Sequence, residues 1–365
     1  MFYDKIDYTI IQKSWESIQG LLDLPYIIHI VGTNGKGSTG RYLSSLLFQA
    51  DKEVVHYSSP HIEKFNERIW INGKDSSDEE LNEAHQFLQN NLKQEYLTKL
   101  TYFEYTTLLV FVISDKKEYL VLEAGLGGEF DATNVVKNDL SVFTPIGYDH
   151  QSFLGDSLEQ IATTKMRSCD NSFILAEQKY PEVLEVAQDI LKNKKEIPLK
   201  NLRIECDISS LPEYLTKNFS VALNVMNFLK IELKDYVLPK LKGRFQYYKC
   251  NIVLDVGHNG LAAQSIADEL NKLQKKFILI YNCYEDKDYE NILSILKPYV
   301  KEIQIIPCSN QRMISQSILE KSISTLKLEK KEFDISKVKA NENENYLVFG
   351  SFSVVEEFLK EYNKR

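Results

Sequence analysis

The sequence predicts an α/β protein of two domains, each built on a mostly parallel sheet with helices on its faces. Three observations carry this. Short apolar or β-branched runs alternate with segments of helical periodicity along most of the chain, which is the pattern of successive βαβ units. At 365 residues the chain exceeds what one hydrophobic core usually supports. The alternation also starts afresh after KGRFQ at 242–246.

The elements follow in chain order. Tyr26–Val31 is a brief apolar run ending at a glycine and reads as the first strand. RYLSSLLF at 41–48 has helical spacing, so residues 32–38 form a strand-to-helix junction. Glu53–Tyr57 is the next strand. Ser77 with Glu80 three residues on is a capping box, opening a helix that runs to about Lys93. Tyr119–Glu123 and Asp139–Thr144 complete the strands of the first part. In the second, Asn251–Asp255, Lys276–Tyr281, Glu302–Pro307 and Tyr346–Gly350 are strand-like and separated by helices, while the polar stretch Lys321–Glu344 reads as a mobile surface connection. The boundary falls near residue 241, dividing the chain into 1–240 and 241–365. The second part has the size of a small α/β domain.

Apolar residues at 43% and charged residues at 26%, without a proline-rich or glycine-serine tract, describe an ordinary globular composition. A net charge of −8 argues against sequence-independent nucleic-acid binding, which needs a basic face. The N-terminal stretch MFYDKIDYTIIQKSWESIQG has no uninterrupted apolar core of the signal-peptide kind. The longest apolar run, Leu108–Ile113, is too short to span a bilayer. The expectation is a cytoplasmic, monomeric protein acting on small molecules, with no nucleic-acid or membrane partner. Five cysteines, widely spaced and without a C-x-x-C pair, suggest reduced, mostly buried thiols.

GTNGKGS at 32–38 departs from the standard phosphate-binding spacing G-x-x-x-x-G-K-[ST]: Ile30 stands where the first glycine belongs, and Gly37 where the hydroxyl belongs. Alone, it is as readily a tight turn as a phosphate cradle. Its position favours the cradle, because glycines and backbone N–H groups at a helix N-terminus bind anions, with Lys36 in reach of the outer phosphates. The apolar strand Leu120–Leu122 ends in Glu123 before AGLGG, which is where nucleotide enzymes hold Mg²⁺. The second strand ends in SSPH at 58–61, and a further one runs into GYDH at 147–150. Four strand tips thus present a lysine-glycine loop, a serine pair, a glutamate and a histidine at the edge where open α/β sheets bind ligands. A phosphate-and-metal site is the better reading.

With these motifs in place the sequence resembles the folylpolyglutamate synthase/dihydrofolate synthase family, relatives of the Mur ligases. GTNGKGS corresponds to that family's variant phosphate loop. SPH at 59–61, FNER at 65–68, LEAGLGG at 122–128, DATN at 131–134, Asp149-His150, LGDSL at 154–158, GRF at 243–245, DVGHN at 255–259, DKD at 286–288 and GSF at 350–352 follow in family order. The resemblance implies a P-loop-type N-terminal domain of mostly parallel sheet, a smaller Rossmann-like C-terminal domain, and ATP bound between them. It further implies that Gly32, Thr33, Asn34, Gly35, Lys36, Gly37 and Ser38 cradle the phosphates. Ser59 and Glu123 would bind one Mg²⁺, and Glu123 and His150 a second. Asn218, Arg244, Asp255, His258 and Ser351 would embrace the nucleotide, with Arg244 placed for a γ-phosphate. Thr101, Phe103, Asp131 and Ala132 would line the folate side, Phe103 stacking on a pterin. Lys165 matches a lysine often carbamylated in the family, joining Lys36, Glu123 and His150 as catalytic groups. The activity implied is ATP-dependent joining of L-glutamate to dihydropteroate or to a reduced folate through an acyl phosphate.

Plainer roles exist for several of these residues. Asp255 and His258 could cap the helix starting near Gly260, and Phe103 could be helix core; His29, His56 and His85 receive no functional role. The sequence also departs from the family pattern. Glu129 stands where an arginine usually follows the glycines, TKMR at 164–167 replaces a common EKAG, and the chain is shorter than many relatives. Two rival functions follow: a ligase acting on a UDP-muramyl intermediate, disfavoured because the phosphate loop comes so early in the chain, and a catalytically silent nucleotide-binding relative.

Overall fold

The structure is a computed structural model that describes residues 7–340 and 344–364. The chain divides into two compact units. One comprises the chain up to Ser210 together with Leu215–Pro239, and the other Leu211–Tyr214 with the chain from Lys240 onward.

In the first unit the strands are β1 (Tyr26–Val31), β2 (Val54–Tyr57), β3 (Ile69–Ile71), β4 (Lys74–Asp75), β5 (Tyr119–Glu123), β6 (Leu140–Phe143), β7 (Ser172–Leu175) and β8 (Lys195–Glu196). They form one sheet in the order β4-β3-β2-β5-β1-β6-β7-β8. Strands β2, β5, β1, β6, β7 and β8 run parallel, while β3 and β4 are added antiparallel at one edge. The chain leaves β1 between β5 and β6, so the sheet's topological switch point lies at the end of β1. Register aligns Ile30 with Glu123, Val31 with Phe143, and Tyr57 with Leu122, so these four strands end along one edge.

Helices cover the faces. Tyr8–Ile18 is capped by Asp7, which accepts from the Thr9 N–H at 3.0 Å, and it buries Ile11, Trp15 and Ile18 at helical spacing. The Trp15 ring meets Phe111 at 5.0 Å within the core formed with Leu108, Val110 and Leu120. The apolar run Leu108–Ile113 is therefore the buried end of helix Tyr102–Ile113. Ser77 and Glu80 make the expected capping box, opening helix Asp78–Asn91. Among the described residues no helix is long and apolar enough to cross a membrane.

The second unit has β9 (Gln246–Lys249), β10 (Ile252–Asp255), β11 (Phe277–Tyr281), β12 (Val300–Ile305), β13 (Lys330–Lys331) and β14 (Tyr346–Phe349), ordered β13-β12-β11-β14-β10-β9. Among the described strands of this unit, only the edge strand β9 is antiparallel.

Several expectations need correction. The strand expected at Glu302–Pro307 runs instead from Val300, because its buried alternation starts there and Pro307 cannot extend the ladder. The supposed connection Lys321–Glu344 contains the end of helix Gln316–Thr325, edge strand β13 and a 3₁₀ turn at Ile335–Lys337; its residues 341–343 lie outside the described residues, as do residues 1–6 of the N-terminal stretch read for a signal peptide. The thiols are free, but only Cys169 and Cys283 are fully buried, and Cys250 is exposed.

Phe111 is fully enclosed. Phe111→Ala should therefore lower the stability of the first unit by about 3–5 kcal/mol, read as a shift of the urea midpoint at unchanged m-value. A shift equivalent to less than about 1 kcal/mol would mean that the core closes over the gap.

Candidate functional site

The site begins at the end of β1. Gly32 packs so closely on the Thr144 side chain at the end of β6 that a Cβ would collide with its hydroxyl. Thr33 and Asn34 both donate their N–H to the Pro145 carbonyl, at 3.0 and 3.1 Å. The Thr33 hydroxyl is in turn locked between the N–H and C=O of Gly147. Gly35 has φ of 89° and N-caps helix Lys36–Gln49. A Cβ there would meet the Asn218 amide oxygen at 2.7 Å. Only glycine combines that backbone with that approach, and this brings the buried Asn218, expected from the sequence, against the loop. Ser38 lies in the first turn of the helix and is buried.

Two ammonium groups converge on the loop. Lys36 Nζ donates to the carbonyls of Gly32 at 3.1 Å and Thr33 at 3.3 Å. Lys165, buried at the end of helix Leu158–Met166, donates to the same Gly32 carbonyl at 3.0 Å. Burial, reinforced by the charge of Lys36, depresses the Lys165 pKa to about 7, against the pull of Asp149 and Asp131. At neutral pH this amine is partly uncharged.

Glu123, at the tip of β5, is buried, and Oε2 accepts from the Ser59 N–H at 3.3 Å. A Cβ on Gly37 would stand 3.2 Å from the same oxygen, so the carboxylate borders the first turn of the loop helix. The structure thus brings together Gly32–Ser38, Ser59, Glu123, Lys165 and Asn218. His150 follows β6 with φ of 51°, its Nε2 3.9 Å from the carboxylate of Asp149. No group of three or more His, Cys, Asp or Glu side chains among the described residues is disposed to hold a metal ion. The oxygen donors present, one buried carboxylate and the hydroxyls of Ser38 and Ser59 beside the glycine loop, suit a hard cation that keeps several waters and shares phosphate oxygens.

Among the residues expected to line the acceptor, Thr101 N-caps helix Tyr102–Ile113 by accepting from the Glu104 N–H at 3.3 Å. Phe103 stacks on Tyr57 at 5.8 Å, and a Cβ on Gly125 would strike its ring. One face of Phe103 is therefore core, and the ring also walls the glycine turn. Asp131 is buried, accepts from the N–H groups of Leu126 and Thr133, and caps the short 3₁₀ helix that begins at Ala132. Burial raises its pKa against those bonds.

In the second unit Asp255 ends β10, buried, and accepts from Phe245 N–H at 2.8 Å, Gly257 N–H at 2.7 Å and Tyr214 hydroxyl at 3.0 Å. Burial raises its pKa, with Arg244 opposing. Arg244 lies over the Phe352 ring at 5.2 Å. The capping role considered for Asp255 and His258 belongs instead to Asn259, which accepts from the Ala262 N–H at 2.9 Å; His258 Nδ1 sits 3.2 Å from the Val256 carbonyl. Ser351 is buried and N-caps helix Phe352–Asn363. Among the histidines without a role, His29 is buried against the Thr133 hydroxyl at 2.9 Å, and desolvation lowers its pKa to about 4. His85 meets Tyr105 at 2.7 Å, and burial keeps His56 neutral.

Sequence reading missed the lock of Thr33 on Pro145 and Gly147, the part played by Asp149, and the pairing of the two departures from the family pattern: Arg167 Nη1 lies 3.3 Å from Glu129 Oε2. The sequence signal for that pair was the coincidence of two unusual residues of opposite charge.

A glycine loop and helix N-terminus at the switch point of a parallel sheet, beside a buried carboxylate, define a protein with a P-loop-type fold. No family model matches the chain. It is 30% identical to the dihydrofolate synthase/folylpolyglutamate synthase of Haemophilus influenzae, over 94% of this chain and 90% of that protein. A crystal structure of Helicobacter pylori folylpolyglutamate synthetase is 38% identical, with a TM-score of 0.78 over 99% of this chain and 96% of that one. The bifunctional folylpolyglutamate synthase/dihydrofolate synthase of Yersinia pestis complexed with AMPPNP and Mn ion is 25% identical, with a TM-score of 0.85 over 100% and 95%. The chain belongs to the dihydrofolate synthase/folylpolyglutamate synthase family of ATP-dependent ligases. Neither the muramyl ligase nor the silent relative finds support in these likenesses.

Lys165→Met should report the buried amine. The folded-state pKa near 7 lies below the ordinary value of 10.5, so between those pH values the unfolded chain binds the proton more readily and wild-type stability rises with pH. The stability of the wild type relative to Lys165→Met should therefore climb from pH 7 to 10.5 and be level below 7, measured by urea unfolding in CO₂-free buffers. A level difference throughout would place the ammonium in a solvated environment.

Proposed function

We propose that this protein joins L-glutamate to the carboxylate of dihydropteroate, of a reduced folate, or of both, at the expense of ATP. The observation that carries the reading is the convergence of Lys36 and Lys165 on the Gly32 carbonyl within a glycine loop that borders Glu123. In the proposed reaction the acceptor carboxylate attacks the γ-phosphorus, ADP leaves, and an acyl phosphate forms. The amine of L-glutamate then attacks the acyl carbon, losing its proton as phosphate departs and the amide forms. Lys36 and the backbone N–H groups of the loop hold the phosphates and oppose the charge that builds on them. In the second unit Arg244, Asp255, His258 and Ser351 are the proposed nucleotide contacts, as Asn218 is in the first. Thr101, Phe103, Asp131 and Ala132 are the proposed acceptor contacts.

Ser59 and Glu123 would hold one Mg²⁺, and Glu123 and His150 a second. When bound, these ions supply charge neutralisation on the transferred phosphoryl group. Lys165 is proposed to be carbamylated: its neutral amine adds CO₂, releasing a proton and leaving an N-carboxylate. Burial that depresses the amine pKa to about 7 favours the neutral reactant.

Lys36→Ala should abolish detectable glutamate addition, assayed by product mass with dihydropteroate or tetrahydrofolate, ATP and L-glutamate, while the urea transition stays cooperative. Near-normal activity would show that the loop is not the phosphate cradle. For Lys165, ¹³C-bicarbonate should give a carbamate resonance in the wild type that is missing from Lys165→Ala. Acetate should partly restore turnover to that variant. A spectrum without the resonance would leave Lys165 acting only as an amine.

A further inference from the structure

Arg68 is a buried cation to which the proposed chemistry assigns no task. It follows the 3₁₀ turn Phe65–Arg68 and immediately precedes β3, with a residue exposure of 9%. Its Nε donates to His61 Nδ1 at 2.8 Å. Its guanidinium lies 5.3 Å from the ring centre of Tyr102 and 6.0 Å from that of Phe65. The terminal amino groups donate to no acceptor among the described residues, and no described carboxylate stands within ion-pair distance. The neighbouring acid, Glu67, is directed to the backbone N–H groups of Ile62, Glu63 and Lys64. These terminal amino groups are not among the buried unpartnered atoms and so reach solvent, and their fork geometry matches a carboxylate.

The surroundings indicate which carboxylate. Because Arg68 Nε is a donor, His61 Nδ1 must accept, so the neutral ring carries its proton on Nε2 and has a second donor of its own. Tyr102 is 61% exposed and stands between Thr101 and Phe103, the proposed acceptor contacts. The Arg68 carbonyl accepts from the Ser58 N–H at 2.8 Å, so this residue flanks the tip of β2 beside Ser59 and Glu123. Cation, exposed aromatic ring and metal-binding candidates thus share one stretch of the sheet edge.

We propose that Arg68, held by His61 and clasped by Phe65 and Tyr102, binds the carboxylate of an aryl-acid acceptor and positions it before activation, with Tyr102 offering its ring to the aryl group. The inference rests on the ligase reading, and deepens it by naming the group that grips the acceptor's reacting end.

The test is equilibrium binding of dihydropteroate and of its carboxamide counterpart to the full chain, with steady-state constants for each substrate. Wild type should prefer the acid by about 10–100-fold, the range of one charge-assisted bidentate contact. Arg68→Gln should bind acid and amide alike, with KM for ATP and L-glutamate changed by less than about threefold. Tyr102→Ala should weaken acid and amide equally. Discrimination retained in Arg68→Gln, or a loss that falls on L-glutamate instead, would overturn the proposal. If Arg68→Gln does not fold, Arg68→Lys must show partial loss of the preference for the acid, and a full preference there overturns the proposal too. Failure of the wild type to bind or extend any acceptor sinks the ligase reading and the inference together, whereas binding without acid preference sinks the inference alone.

Discussion

One carbonyl organises the first unit's site. The Gly32 oxygen accepts from Lys36 at 3.1 Å and from Lys165 at 3.0 Å, so two cations from distant parts of the chain meet at the mouth of the glycine loop. Like charges so close favour whichever change removes one of them or brings an anion. Loss of a proton from the more buried lysine and arrival of phosphate oxygens are two such changes. The backbone is arranged to permit this meeting. Gly32 lets the loop lie on Thr144, and Gly128 lets the glycine turn press on the backbone of Lys165, where a Cβ would stand 2.8 Å from its Cα. A side chain at Gly32 would collide with Thr144, and one at Gly128 with the backbone of Lys165.

Several residues assigned to ligands by resemblance also hold the local backbone. Thr101, Asp131 and Ser351 each cap the helix that follows them. A cap of this kind contributes about 1 kcal/mol, so its removal loosens the helix start as well as any ligand contact. Activity lost on substitution there cannot by itself separate the two roles. Lys36 and Arg68 differ in this respect, since neither caps an element, and their charge is the property a ligand would read.

The strand tips were legible in the sequence because buried parallel strands are short apolar runs with glycine or polar residues at their ends. Tyr26–Val31 and Tyr119–Glu123 match the observed strands residue for residue, and Val54–Tyr57 and Ile252–Asp255 differ by one. The strands that escaped notice are mostly edges. Lys74–Asp75, Lys195–Glu196 and Lys330–Lys331 are exposed and charged, as edge strands are when they must not pair with another chain, and so carry no apolar signal. The glycine loop at 32–38 and Glu123 at the tip of β5 were legible as local motifs. The grip on Arg68 was not, because His61 and Tyr102 reach it from separate segments and only the folded sheet edge sets them around it.

The departures from the family pattern have a common physical basis. An arginine is expected after the glycines, and Glu129 stands there; TKMR replaces EKAG at 164–167. In the fold these segments lie against each other, since the Glu129 N–H donates to the Thr164 carbonyl at 2.8 Å and Arg167 reaches the Glu129 carboxylate at 3.3 Å. The acid and the base have in effect exchanged segments, leaving one positive and one negative side chain beside the turn. A pair this exposed contributes only about 0–1 kcal/mol, so its effect on stability is minor. Its consequence is for local charge: the acid on the glycine turn is paired with a base from the end of the helix that carries Lys165. What looks in the sequence like two separate departures is, in the structure, one contact, an exposed ion pair between the glycine turn and the end of the helix that carries Lys165.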